Sequence, residues 1–313
     1  MYDSVSWKLI EHKDMNSRIE RVKRLIIIQL KYLWNTIIHR NRYNDDGVTC
    51  VIFSKDRAMQ LDALLESIIM YAEASFPIIV QYSASEIHKS SYETIIKKYK
   101  NVVFVKETSV RKTLIEIIQS VKTQYMFFLV DDQVFIRPFN VNLLLKKLGK
   151  GIFASMRLGD NITNFGIRDV PLYPKYKKDG FFLNWKWKKN KRQYDWGYQF
   201  SVDGTIYRTI DVFRCTLSIP FGAPNSYESN MNSVLLFKKN NSGISFLKPV
   251  VTNLIINASR QENGYEQCES GNYSTIDMLH LLEKGNSFDI IKISSINYTS
   301  THHIIVDINT ILK

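Results

Sequence analysis

The run Tyr125-Met126-Phe127-Phe128-Leu129-Val130, followed at once by Asp131-Asp132-Gln133, constrains this chain more than any other stretch. A strand that is apolar at every position has no solvent side, so it belongs inside a sheet covered on both faces, most often a parallel one. The sequence before it agrees. Short β-branched or apolar runs at 48–53, 76–82 and 102–105 alternate with helical spacing at 59–71, 90–99 and 109–121. Alternation of this kind predicts an α/β fold with a Rossmann-like, mostly parallel central sheet flanked by helices.

Two adjacent carboxylates at the carboxyl end of such a strand are costly unless a cation accompanies them. Open α/β sheets bind ligands at that edge. Mg²⁺ or Mn²⁺ typically joins one or two carboxylates to substrate phosphates. Asp131, Asp132 and Gln133 thus read as a metal–diphosphate site, with Asp132 the direct ligand. The plainer alternative is an Asp pair that caps the next turn or pairs with Arg137.

Among 313 residues, 42 are Lys or Arg and 30 are Asp or Glu, a formal charge of +12 that favours an anionic partner. Hydrophobic residues at 45% and charged residues at 23% exclude a disordered chain, a collagen-like fibre and a coiled coil. Cys50, Cys215 and Cys268 are too few and too scattered for a disulfide framework or a zinc site, which points to a reducing, cytoplasmic setting. Met1 is followed by a polar, mixed-charge stretch unlike a cleavable leader.

Residues 18–40 form an apolar body flanked by Arg18, Arg21, Lys23, Arg24 and Arg40, too short and too charged at Lys31 for a membrane span. They predict a helix that either packs on its own domain or lies peripherally on the inner face of a membrane. Asn44-Asp45-Asp46-Gly47 then breaks the pattern. The expected division is a basic amphipathic segment at 1–46 and a main domain at 47–313.

Residues 51–68 (VIFSKDRAMQLDALLESI), 78–85 (IIVQYSAS) and 125–135 (YMFFLVDDQVF) together resemble the nucleotide-sugar half of GT-A-fold glycosyltransferases of the family 2 type. The likeness divides the domain into a nucleotide-sugar half at 47–140 and an acceptor half at 141–313. It implies that Ser54, Asp56, Arg57, Tyr82 and Ser83 hold the nucleoside and that Asp131, Asp132 and Gln133 stand for a D-x-D motif holding Mn²⁺ or Mg²⁺. Gln133 departs from that motif, where the last residue is Asp. Arg111 and Lys112 would meet ribose or phosphate, or else form a solvated helix end. A late histidine, His302 or His303, would join the metal or serve structure alone.

Inverting transfer needs a general base near the acceptor hydroxyl. Glu228, expected in the first turn of a helix capped by Asn225 or Ser226, ranks first, as the resemblance implies. Asp203 in an Asp-Gly turn follows, and Asp195 is third. Plainer roles are a capping carboxylate for Glu228 and turn chemistry for Asp203. Trp185, Trp187 and Trp196, interleaved with lysines, read as an acceptor loop for an anionic or lipid-linked glycan, or as a solvated loop. The leading expectation is a metal-dependent glycosyltransferase acting from a nucleoside-diphosphate sugar onto a glycan or lipid-linked hydroxyl. The alternatives are a nucleotidyltransferase of related fold, against which the absence of glycine in 54–60 counts, and a non-catalytic binder of nucleic acid or another anionic polymer. An inactive relative is a further reading. No sequence-specific nucleic-acid signature occurs.

Overall fold

The structure, a computed structural model, describes residues 15–40, 43, 45–166, 170–257 and 273–313; Asn44 of the boundary turn and Cys268 lie outside them. Helix α1 (Met15–Ile38) precedes β1 (Asp45–Lys55), α2 (Ala58–Tyr71), β2 (Ile78–Ser83), α3 (Lys89–Lys98), β3 (Val103–Lys106), α4 (Val110–Ser120) and β4 (Thr123–Val130). The chain continues through β5 (Gln133–Phe135), α5 (Val141–Leu145), β6 (Ile152–Ser155), β7 (Asn164–Phe165), β8 (Val170–Pro171), β9 (Tyr176–Asp179) and β10 (Phe182–Lys186). It ends with β11 (Thr205–Arg208), α6 (Thr209–Ser218), α7 (Pro224–Met231), α8 (Leu235–Lys238), β12 (Ser242–Phe246), β13 (Val251–Ile255), α9 (Thr275–Glu283), α10 (Ile290–Ser294) and β14 (His302–Ile304).

The main sheet runs β3-β2-β1-β4-β11-β6-β12-β10-β9. Its first four strands are parallel, as the alternation of strands and helices predicts. β11 then enters antiparallel to both β4 and β6, so the sheet beyond β4 is mixed. The α/β class and the helix-flanked Rossmann-like front stand as expected.

Residues 126–130 of β4 show why that run has no polar position. Met126 and Phe128 join Val51 and Phe53 of β1 in a core shared with α4 and α6. Phe127 and Leu129 join Cys50 and Ile52 in a second core under α2. Successive side chains of a strand point to opposite faces, so a strand covered on both needs apolar residues throughout. Each fully buried Leu or Phe contributes about 1.5–3 kcal/mol.

A second, three-stranded sheet places the candidate site. β5 leaves β4 after only Asp131 and Asp132, and β13 lies between β5 and β14. The register sets Asn253 of β13 opposite Gln133 on one side and His302 on the other. Residues far apart in sequence, Gln133, Asn253 and His302, thus form one row beside the end of β4. Among the described residues, Cys50 and Cys215 are free, buried thiols.

Candidate active site

β1 and β4 end side by side, and the side chains of the two aspartates after β4 diverge. Asp131 turns toward β1: its Oδ2 accepts from Lys55 N at 3.0 Å and its Oδ1 from Arg57 Nη1 at 3.1 Å. Its partner is therefore Arg57, not Arg137. Arg57 is itself buried and donates through Nη2 to Asn257 O at 2.8 Å. The neighbouring carboxylates hold it above the ordinary guanidinium range even though burial opposes its charge.

The loop after β1 is drawn tight around this pair. Asp56 sits at φ 54°, and its Oδ1 accepts from Ser85 N at 2.7 Å, which repays the left-handed backbone. Ser54 Oγ lies 2.6 Å from the Tyr92 hydroxyl, which also accepts from Arg57 N at 3.1 Å. Tyr82 stacks on Tyr92 with ring centroids 5.3 Å apart. Ser54, Asp56, Arg57, Tyr82 and Ser83 thus gather at the ends of β1 and β2 with Asp131 beside them. Tyr92, which joins Ser54 and Arg57, was not foreseen, because a tyrosine on an amphipathic helix reads as core. Arg111 and Lys112 stay apart from this group. Arg111 donates to the carbonyls of Leu217 and Ile219 over the Phe221 ring, and Lys112 is exposed on α4.

Asp132 faces the other way. Its Oδ1 accepts from Asn253 Nδ2 at 3.1 Å, and its Oδ2 lies 3.7 Å from Arg57 Nη1. Burial pushes its carboxyl up to about 7; Arg57 opposes the rise, while Asp131 and Asp203 add to it. Asn253 Nδ2 also reaches Asp203 Oδ1 at 3.4 Å, linking the end of β4 to the turn before β11.

Arg157, which the sequence reading missed, organises the far side. Its guanidinium is buried and contacts Asp203 Oδ2 at 2.7 Å, Asp195 Oδ1 at 3.0 Å, Asn253 Oδ1 at 3.1 Å and His302 Nε2 at 3.3 Å. The only signal for it was one arginine directly after the mainly apolar stretch 152–156. Thr301 Oγ1 lies 2.6 Å from Asp195 Oδ2 and 3.1 Å from His302 Nδ1. With Arg157 donating to Nε2, the consistent tautomer of His302 carries its proton on Nδ1 and gives it to Thr301. Burial would raise Asp195, but Arg157, His302 and Thr301 hold it below the carboxylate range. Burial and Arg157 together hold His302 below the ordinary imidazole range, despite Asp195 and Asp203.

Both base candidates reach this cluster. Asp203 stands in a turn before β11, where Gly204 takes φ 70°, and its side chain is bound by Arg157, Asn253 and Ser201. Glu228 accepts from Val202 N at 3.0 Å. Burial, then the adjacent Asp203 charge, pushes Glu228 up to about 8. Its helix starts two or three residues earlier than expected: Ala223 is the N-cap and Pro224 the first helical residue, so Glu228 lies beyond the first turn.

Three expectations are corrected by this geometry. Gln133 is fully buried, with Oε1 accepting from Val130 N at 3.0 Å and Nε2 donating to Asn253, so it braces the strand end and does not face a metal. His302 directs Nε2 at Arg157 and Nδ1 at Thr301, so neither of its ring nitrogens is open to a metal beside Asp132, while His303 packs its ring edge-on against Tyr298. The tryptophans form no acceptor loop. Trp185, Trp187 and Trp196 are buried, with Trp185 meeting the other two edge-to-face at 5.0 and 5.1 Å. Gly243 lies under Trp185 so closely that a Cβ there would stand 2.1 Å from its ring. Trp185 and Lys186 end β10 and Trp187 opens the 3-10 turn that follows, with the indoles turned inward and Lys186, Lys188 and Lys189 in water.

No family model matches the chain. It is 29% identical over 231 residues to the bifunctional glycosyltransferase pgtA of Dictyostelium discoideum, covering 63% of this chain and 30% of the relative, so it spans less than a third of that protein's length. Among solved structures it is similar to S. aureus TarS (14% identity, 63% of this chain, 60% of that one, TM-score 0.38). It is also similar to a mannosyltransferase from Pyrobaculum calidifontis in complex with GDP-Man and Mn²⁺ (11% identity, 45% and 46% covered, TM-score 0.30). A nucleotidyl transferase from Methanothermobacter thermautotroptrophicus scores alike (10% identity, 65% and 88% covered, TM-score 0.37). By sequence, then, this chain is similar to a glycosyltransferase, the resemblance its strand-end motifs carried.

Proposed function

We propose that this chain transfers a glycosyl group from a nucleoside-diphosphate sugar to a hydroxyl of a glycan or lipid-linked acceptor. The observation that carries this reading is the junction at Asn253, whose amide joins Asp132 at the end of the parallel strand to Asp203 of the acceptor half. Donor and acceptor groups would meet there, with Glu228 beside them.

Among the described residues, no group of three or more His, Cys, Asp or Glu side chains converges as a metal cage. The donor set suits a hard cation held by one carboxylate and completed by the substrate's diphosphate. Asp132 would hold it, with Asp203 on the same Asn253 amide as a second carboxylate. Bound there, Mn²⁺ or Mg²⁺ would supply the countercharge for the departing diphosphate. Asp131 keeps a different task, clamping Arg57 and the loop that would seat the nucleoside. The acceptor oxygen would form its bond to the anomeric carbon as the carbon–diphosphate bond breaks. Its proton would pass to Glu228, or to Asp203 if that residue is the base. Arg157 positions Asp203 and Asp195 for this. The polymer-binding alternative loses its stacking surface, since the indoles it required lie in the core.

Calorimetric titration of UDP, GDP and CDP, with and without Mn²⁺, tests the reading. One nucleotide should bind only with the metal, and Asp132→Ala should abolish that binding while leaving the thermal melt unchanged. No binding of any nucleotide to the folded chain would overturn the proposal; metal-dependent binding that survives Asp132→Ala would overturn the ligand assignment.

A further inference from the structure

Helix α1 presents apolar side chains on two opposite sides. The inner side is accounted for. Ile28, Tyr32 and Asn35 are buried, with Asn35 Nδ2 3.0 Å from Ser218 Oγ at the end of α6. Gln29 clasps the segment after α7, donating to Ser233 O at 2.9 Å and accepting from Leu235 N at 2.7 Å. On the outer side, Ile19, Val22, Ile26, Leu30, Leu33 and Ile37 follow one another at three- and four-residue spacing, which aligns them along one face. All six are exposed, Ile37 at 71%, and Trp34 beside them is 62% exposed. A helix seated on its own domain ordinarily turns its polar side to water. This one does the reverse.

The charge on the helix indicates what covers the stripe. Arg21, Lys23, Arg24 and Lys31 are exposed along α1, and Glu20 is its only acid. A second copy of this chain would bring like charges together on molecules that each carry +12. An anionic bilayer satisfies both features at once. Acyl chains take the stripe, headgroup phosphates take the cations, and Trp34 stands at the level where tryptophan favours the interface. From Ile19 to Ile37 the stripe is about 27 Å long, suited to lying in the plane of a membrane. Among the described residues no helix is long and apolar enough to cross one.

We propose that α1 docks the protein flat on an anionic lipid surface through Ile19, Val22, Ile26, Leu30, Leu33 and Ile37. The same helix holds the connection following α7, which carries Glu228, so docking would bring the acceptor side close to the bilayer.

Flotation of the full chain with phosphatidylglycerol/phosphatidylcholine vesicles, and with phosphatidylcholine alone, tests this. The chain should float with the first and much less with the second. Ile26→Ser/Leu30→Ser/Ile37→Ser should weaken vesicle binding about ten-fold per residue, with an unchanged thermal melt because these side chains touch solvent. Lys23→Ala/Lys31→Ala should weaken it about five-fold per cation and only for the anionic vesicles. Failure of the chain to float, equal binding to both vesicle types, or a triple variant that floats as before would each overturn the proposal. So would self-association in sedimentation velocity that the triple variant abolishes while vesicles leave the wild type behind, since the occupant would then be a second copy. Nucleotide titration does not involve these positions, so this proposal and the transferase reading fail separately.

Discussion

Replacing Arg157 by Met removes the cation that Asp195 and Asp203 share among the described residues while keeping a long apolar stem in its place. In the native protein the guanidinium lies 2.7 Å from Asp203 and 3.0 Å from Asp195, with all three side chains largely out of solvent. Breaking a buried pair by removing one partner costs about 3–5 kcal/mol, because the remaining charge is left uncompensated. With a urea slope of about 3 kcal/mol/M, the unfolding midpoint at pH 7.5 should fall by roughly 1–1.7 M. The loss must also depend on pH. Asp195 is depressed in the native protein, so its contribution is present above the unfolded carboxylate pKa and disappears as pH falls through the folded one. In the variant, burial without Arg157 raises Asp195, which then takes up a proton in mild acid and becomes neutral. The destabilisation should therefore be largest near pH 7.5 and smaller at pH 5. Adding Asp195→Asn to Arg157→Met should recover part of the loss at pH 7.5, since one orphaned charge is gone. Urea titrations of the three proteins at both pH values measure this. A loss below about 1 kcal/mol at pH 7.5, or one equally large at pH 5, would refute the claim that Arg157 neutralises this cluster.

Glu228→Gln should remove transfer and leave donor affinity in place. In the wild type, the rate should climb with pH toward a plateau above about 8, because the base must lose the proton that burial and Asp203 help it keep. A flat profile through that range, or loss of transfer in Asp203→Asn but not in Glu228→Gln, assigns the base to Asp203. The same raised pKa gives stability that is full below pH 4.5 and lost as pH rises to about 8, so Glu228→Gln should gain on the wild type above neutrality in thermal melts. Trp187→Ala should cost about 3–5 kcal/mol of stability, as expected of a buried ring. A variant that melts like the wild type and loses only acceptor affinity would restore the acceptor-loop reading.

Much of the front half was legible because its elements are local. Residues 126–130 needed two covered faces whatever lay elsewhere, and the alternation before them fixed a parallel sheet ending at Asp131 and Asp132. The two candidate bases could be named, since acidic residues at a turn and near a helix start are visible in one dimension. The tryptophans misled because interleaved indoles and lysines have the same spacing in a binding loop as in a half-buried strand, and only the contact of Trp185 with Gly243 and Trp196 separates the two. The roles at the site were decided by tertiary structure alone. Arg157, Asn253 and His302 are ordinary residues in sequence; they become neighbours because β13 pairs with β5 on one side and β14 on the other. That pairing brings Asp195, Asp203 and His302 onto Arg157 and sets Asp132 against the Asn253 amide. Periodicity records which side of an element is buried, whereas the partner of a buried charge depends on strands that meet only after the chain has folded.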